Sequence, residues 1–489
     1  MFRLTPISAA LLLFATGQVM ADDSVSNQLQ NGTDNVANVQ QSAASQSRAS
    51  QNQAGTGNDA MAVQAEATGI IEQSLAGDYN AAYGEQNYGE QGSTIHQQGS
   101  GEWNDNFASQ YWGTGNQSQQ VQQGSANFSM VYQEGQAGSQ GATFQAGSNQ
   151  EAYIEQVGFG EGNRGLIVQS GDGNRGSVKQ SDQLNGRIEV YQQGDVNTAN
   201  GWQNLSLGGN QLFNQAGSGN YAEIWQDTQD GSQAGITQLG SNNEGIIDQS
   251  FADALSLYGT GNVASISQAG DANAAYADQY EGSHLSTALY QNGSGNLQLT
   301  YQTGTGHNLV VTSNGSGNQV FMSDWQGARR GGQYGTGNNA AIAQNGSANV
   351  AQVKQQDEGQ KARLTQNGSG NDATVEQADS YNELYFEQNG SDNILIADQR
   401  GSANYAVGSS TGSANIVELD QSGAGNQAYV TQLYGDNNLA SVTQTDGVNL
   451  AFVTQGGSAN KAYVDQAGMN MNANVQQFGT GNRADVTQR

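Results

Sequence analysis

Residues 366–377 read Gln366-Asn-Gly-Ser-Gly-Asn-Asp-Ala-Thr-Val-Glu-Gln377. Two signals meet in this stretch. Asn-Gly-Ser-Gly reads as a turn, because glycine reaches positive φ cheaply and asparagine tolerates it. From Asn371 onward the residues alternate with period two, the mark of a strand with one buried face. Asn371, Ala373, Val375 and Gln377 are expected to point inward, and Asp372, Thr374 and Glu376 outward into water. The reading predicts a strand of about seven residues, ~23 Å long, followed by a short turn.

This stretch is one step of a lattice. Eleven-residue steps from Gln333 land on Gln344, Gln355, Gln366, Gln377, Gln388, Gln399, Ser410, Gln421 and Gln432. One inserted residue near Tyr434 moves the next landing to Gln444, and the steps resume through Gln455, Gln466, Gln477 and Gln488. A doubled period lies on top: Asn-Gly-Ser recurs at Asn345, Asn367 and Asn389, while the alternate steps put Asp357 and Asp379 at the glycine position. Two strands and two turns, about 22 residues, therefore make one coil. A coil this small cannot bury its inner face alone, so coils must stack at ~4.8 Å, each strand pairing with those above and below. The predicted fold is all-β: a β-solenoid with two strands per coil, stacking into cross-β fibres.

The inner face mixes Ala351, Val353, Leu364, Val375, Leu395 and Val430 with Gln and Asn. A buried amide without partners costs roughly 1–3 kcal/mol. Identical amides stacked in register satisfy one another as ladders. A disordered Gln/Asn-rich tract would share the composition but not the fixed phase.

The pattern Gln-x-Gly-x-Gly-Asn-x-Ala-x-Val-x-Gln resembles the curlin repeat, found in the subunits of bacterial functional amyloid fibres. Gln366 to Gln377, Gln421 to Gln432 (QSGAGNQAYVTQ) and Gln477 to Gln488 (QFGTGNRADVTQ) carry the resemblance, which extends over roughly residues 28–488. It implies a secreted structural subunit that polymerises into extracellular, cell-surface fibres for biofilm matrix, adhesion and cell aggregation. It also implies passage through the periplasm, an outer-membrane secretion channel, accessory chaperones and other curlin-like subunits as partners.

Residues 1–21 read as a secretory signal: Arg3, a short apolar run from Ile7 to Ala15, and Val19-Met20-Ala21 as a cleavage site. The run is too short to span a membrane, and no other stretch is apolar enough. Residues 22–29 read as a short polar leader, 30–332 as curlin-like repeats with irregular insertions, and 333–489 as highly regular ones. Gln73 to Gln86 and Gln97 to Gln110 each hold two extra residues before their Asn, which suggests longer loops near Trp103 and Trp112. Ser181 to Tyr191, Asn204 to Asn214, Ser250 to Tyr258 and Tyr280 to Tyr290 break the lattice and are expected to be flexible or bulged. Trp325 to Gly332, with the adjacent Arg329 and Arg330, reads as an exposed loop.

The chain has no cysteine, and its single proline, Pro6, lies in the signal. No disulfide framework is available. A proline-free repeat region suits strands that donate backbone hydrogen bonds throughout. The 15 basic and 44 acidic residues give a net charge of −29, which disfavours nucleic acid and anionic membranes and slows premature association. His96, His284 and His307 are far apart and differ in repeat phase, so no metal site is expected. No carboxylate pair stands out as catalytic, the Gly-x-Gly patterns lack a following helix, and no cofactor is expected.

The residues expected to carry the architecture are the ladder amides and turn glycines of the regular copies. They are Gln344, Gly346 and Asn349; Gln366, Gly368, Asn371 and Gln377; Gln388, Gly390 and Asn393; Gln421, Gly423, Asn426 and Gln432; Gln455, Asn460 and Gln466; Gln477, Gly479, Asn482 and Gln488. About 21 coils are expected from residues 30–488, a rod of roughly 100 Å. Near-consensus copies at both ends favour polymerisation, since stand-alone solenoids normally need caps. The competing readings are a minor nucleating subunit of such a fibre and a monomeric β-solenoid adhesin. An ice-binding solenoid would show flat Thr-x-Thr ladders, and a polysaccharide lyase larger coils with a charged groove; neither is visible.

Overall fold

The computed structural model describes residues 23–251, 259–323 and 331–489. The signal at 1–21 and the pair Arg329-Arg330 lie outside the described residues, as does most of the break at Ser250 to Tyr258.

Every coil contributes one strand to each of two parallel sheets. The first sheet has 20 strands, from Val25–Thr33 to Asn472–Thr480. The second runs from Val36–Ser42 to Arg483–Gln488, with one rung split into Gln319–Met322 and Gly332–Thr336. The chain alternates between the sheets, so each strand pairs with the equivalent strand one coil away. Register is residue on residue: Gln366 pairs with Gln388 in the first sheet and Gln377 with Gln399 in the second. No described helix is long and apolar enough to cross a membrane.

The described residues form twenty coils, not 21, because the coil length varies. Successive equivalent glutamines are 22 apart at Gln466 and Gln488, 23 at Gln133 and Gln156, and 24 at Gln86 and Gln110. The spacing grows to 30 between Gln249 and Gln279 and to 31 between Gln302 and Gln333. The register on either side of these spacings keeps the same side chains inside.

Strands are longer and corners tighter than the pattern suggests. Lys361–Ser369 and Asp372–Ser380 are separated only by Gly370 and Asn371. Asn367-Gly368-Ser369 is thus the end of a strand rather than a turn. Ala373, Val375 and Gln377 are buried and Asp372, Thr374 and Glu376 half-buried, in the expected alternation. Ala362, Leu364, Ala373 and Val375 belong to one continuous apolar seam that runs from Val131 to Val475.

The stretches 73–86 and 97–110 do not hold longer loops before their asparagines. Their first-sheet strands, Thr68–Asp78 and Gln91–Glu102, run straight to the same corner. What changes is the occupant of the glutamine position, which is Leu75 in one coil and Gly99 in the next. The breaks at 181–191 and 204–214 are widened corners that keep strands on either side. Bridges Glu161 to Leu184, Leu184 to Leu207 and Leu207 to Asp230 stack these corners on one another as a short third ladder. The break at 280–290 carries a register shift between Gln279 and Gly282.

Candidate functional site

The second sheet carries an unbroken column of glutamines from Gln41 to Gln488. Each Nε2 donates to the Oε1 of the glutamine one coil on, as in Gln355 to Gln377 (2.9 Å), Gln377 to Gln399 (2.8 Å), Gln399 to Gln421 (2.8 Å) and Gln466 to Gln488 (2.8 Å). The second N–H crosses the core. Gln377 Nε2 also donates to the carbonyl of Lys361 (2.9 Å) in the first sheet and to that of Asn382 (3.2 Å). Each glutamine therefore ties its coil to the next and its sheet to the opposite one. A fully satisfied buried network of this kind fixes register, because a slip would orphan every member.

The first sheet carries a similar but interrupted column. Gln344, Gln366 and Gln388 are linked at 2.9 Å, and Gln432, Gln455 and Gln477 at 2.9–3.0 Å. Ser313 and Ser410 substitute for the amide, and each hydroxyl donates to the next glutamine. Where Leu75 and Gly99 take the position, the ladder shifts two residues along the strand to Gln51, Gln73, Gln97 and Gln120, each bond 2.8 Å. The shift leaves a defect: Gln122 Oε1, facing the Gly99 coil, is buried without a hydrogen-bond partner, as are both side-chain polar atoms of Asn106.

At the corner after the first-sheet strand stands an asparagine column. Asn371 donates through its backbone N–H (3.1 Å) and Nδ2 (2.9 Å) to Asn349 Oδ1, and through Nδ2 to the carbonyl of Gly390 (3.1 Å). Asn393 repeats this on Asn371, and Asn460 and Asn482 continue the column. Asn426 holds the same role at the opposite corner, between Asn404 and Asn449. In the interior coils the glycine before the first-sheet asparagine corner is sterically required, whereas Asp379 and Asp446 stand at the equivalent place before the opposite corner. Gly368 has φ +116°, and a Cβ there would lie 2.0 Å from the Gly390 carbonyl oxygen. Gly346, Gly390, Gly423 and Gly479 share this backbone form. The corner residue itself is more tolerant: Gly370 has φ +65°, but Ala348, Asp392 and Trp103 adopt similar angles. Trp103 and Trp112 are such corner residues. Trp103 stacks on Tyr79 (4.5 Å), and Trp112 packs against Tyr88 (5.2 Å).

Among the described residues, the first and last strands each leave one edge unpaired. Val25–Thr33 is exposed along its whole length and pairs only with Arg48–Thr56. Arg483–Gln488 pairs only with Lys461–Met469. Among the described residues, no element covers either edge. Gln488 is consequently half-buried and Asn482 exposed, while the interior ladder residues are buried.

The sequence pattern did not reveal a second set of polar side chains. Glu90, Gln136, Gln183 and Gln229 recur every second coil at the corner between the second and first sheets, each fully buried. Gln136 Oε1 accepts from Ser139 Oγ and Asn163 Nδ2, and Gln229 Oε1 from Ser232 Oγ and Asn262 Nδ2. Glu90 accepts from Ser93 Oγ, Asn116 Nδ2 (3.0 Å) and the Gly113 N–H (2.5 Å). Burial pushes the Glu90 carboxyl above the usual carboxylate range, against the lowering effect of these donors. The signal that could have exposed this set is its recurrence at about 46 residues. His307 takes an asparagine's place in a corner column. Its Nδ1 accepts from the Asn338 N–H (3.1 Å), its Nε2 contacts the Thr303 carbonyl, and burial lowers its pKa.

This geometry defines a class: a parallel two-sheet β-solenoid of in-register repeats held by internal amide ladders. Residues 412–445 and 449–479 match the curlin associated repeat. A comparison with curated proteins finds no match. The matched repeats lie on the same strand register and amide columns as the coils before them.

Proposed function

We propose that this chain is an exported structural subunit that polymerises end to end into extracellular curli-like fibres of a biofilm matrix. In this role it would use an outer-membrane channel, accessory chaperones and other curlin-like subunits, and it would have no catalytic activity. The observation that carries the reading is the pair of open, complementary ends. Glutamine Nε2 donors point toward the C-terminal coil throughout, so Gln488 offers a donor there, while Gln41 offers its Oε1 at the other end. The asparagine column runs the opposite way, because Asn482 donates back to Asn460 and leaves its Oδ1 facing out. Head-to-tail docking would set Gln488 on Gln41, Asn482 on Asn35 and Gln477 on Gln30. Head-to-head docking would oppose acceptor to acceptor. A heterologous contact that does not close into a ring generates a filament. Unpaired strand edges template the next strand. The ladder residues Gln477, Asn482 and Gln488 would thus carry assembly as well as folding.

The test is dilution of residues 22–489 out of denaturant, followed by circular dichroism and sedimentation. The reading predicts a lag, then insoluble β-rich fibres whose fragments abolish the lag. Prompt folding to a soluble β-rich monomer that never sediments would overturn it in favour of a stand-alone adhesin. Growth only on another protein's fibres would mark a partner-dependent subunit.

A further inference from the structure

On the outer face of the second sheet, tyrosines stand two residues from carboxylates. Tyr111 ends the strand Asp105–Tyr111, and Tyr132 lies in Phe128–Glu134, one coil on. In register, Tyr111 faces Glu134 and Ser109 faces Tyr132, so the two rings are diagonal neighbours. Their centroids are 5.8 Å apart, with the planes tilted by 56°. The Tyr111 hydroxyl donates to Glu85 Oε2 at 2.7 Å, and the Tyr132 hydroxyl donates to Glu134 Oε2. Glu85 also accepts from Tyr83 at 2.7 Å. Both rings are partly open to solvent. Burial, and then the hydrogen bond to Glu85, push the Tyr111 phenol up to about 12. At neutral pH each phenol keeps its proton and shares it with a carboxylate. Tyr405 and Tyr429 approach similarly, at 5.9 Å, but the Tyr429 hydroxyl donates to the amide oxygen of Gln427.

We propose that Tyr111 and Tyr132 form an oxidative cross-linking site, joined as dityrosine by a one-electron oxidant such as a peroxidase with hydrogen peroxide. Each phenol gives one electron to the oxidant and its O–H proton to the carboxylate that holds it, Glu85 or Glu134. The two phenoxyl radicals form one carbon–carbon bond between ring positions ortho to oxygen. The hydrogens on those carbons then shift as protons to the oxygens, which restores two phenols. In total two electrons and two protons leave the pair and reduce one hydrogen peroxide to two waters. Glu85 and Glu134 act as proton-accepting, positioning residues. A carboxylate on each hydroxyl lets electron and proton leave together and avoids a cationic phenol radical. The bond would tie neighbouring coils together in a chain that has no cysteine. It would act as a disulfide does, by restricting the unfolded chain.

The experiment treats folded residues 22–489 with a peroxidase and hydrogen peroxide, then maps cross-links by peptic digestion and mass spectrometry. The expected product is a peptide pair containing Tyr111 and Tyr132, two hydrogens lighter than the sum and dominant over other tyrosine pairs. Tyr132→Phe removes it. Glu85→Gln with Glu134→Gln slows its formation about tenfold or more. Dityrosine spread evenly over the tyrosine pairs would overturn the proposal. So would an equal yield from chain unfolded in denaturant, or an unchanged rate in the double glutamine variant.

Discussion

The two glutamine columns do the same work with different tolerance. The second-sheet column keeps an amide in every coil from Gln41 to Gln488. The first-sheet column accepts Leu75, Gly99, Ser313 and Ser410 at the same position. One continuous ladder is therefore sufficient to hold the register, and the opposite column can carry defects. At Leu75 and Gly99 the defect is bypassed by the displaced ladder from Gln51 to Gln120. At Ser313 and Ser410 a hydroxyl supplies one donor to the next glutamine; Ser410 makes no bond across the core, while Ser313 Oγ accepts one from Gln298 Nε2 at 3.0 Å.

The largest loss is expected at a glycine of the first-sheet corner. Gly390→Ala should cost several kcal/mol, because its Cβ would meet the Gly412 carbonyl oxygen at 2.1 Å with φ at +122°. Chemical denaturation of the soluble chain, or the yield of folded protein, reads this. Next comes Gln377→Ala in the unbroken column. It strands the Gln355 donor, the Gln399 acceptor and the carbonyls of Lys361 and Asn382. At roughly 1–3 kcal/mol for each group left unsatisfied, partly relieved by water, a net loss of about 3 kcal/mol is expected. The same change at Ser410, Ser410→Ala, should cost only about 1 kcal/mol, since a single hydroxyl bond is lost. Equal losses at the two positions would remove the distinction between the columns.

Repair sharpens the comparison from the other side. Gly99→Gln should stabilise by about 1 kcal/mol by giving the orphaned Gln122 Oε1 a donor. The nearest obstacle to its Cβ is the end of the Leu75 side chain at 3.1 Å, which can move. A smaller, pH-dependent effect is expected at Glu90. Its folded pKa is raised above the unfolded value. The ionised form therefore penalises the fold, and that penalty is absent below the unfolded value and grows as pH rises through the folded one. Glu90→Gln, placed as Gln136 is, should be more stable than the original chain at neutral pH by about 1 kcal/mol. The advantage should vanish near pH 4. Denaturation midpoints across pH measure this.

Much of this architecture is legible in the chain. The phase of Gln366, Asn371 and Gln377 gives two strands per coil, their in-register stacking and the inward face. The glycine pattern points to the corners but places them early: Gly368 is demanded by a backbone contact from the next coil, which no local turn rule contains. The displaced ladder at Gln73 and Gln97 is hidden because a glutamine two residues out of phase looks like an insertion. Only the pairing of Gln73 with Gln97 shows that the strand is continuous. The buried corner set is hidden for a different reason. Gln136, Gln183 and Gln229 are unremarkable in a glutamine-rich sequence, and their partners Asn163 and Asn262 lie a full coil away.

The measurement closest to the central claim is seeded elongation with the end ladders altered. Fibre fragments of the unsubstituted chain are offered soluble protein carrying Gln477→Ala with Gln488→Ala, or Asp485→Ala. Asp485 is exposed and faces Tyr463 across the sheet, outside both columns. The ladder account predicts that the double amide variant elongates fibres much more slowly than the unsubstituted chain, while Asp485→Ala elongates them at nearly the normal rate. Equal elongation by all three would contradict it.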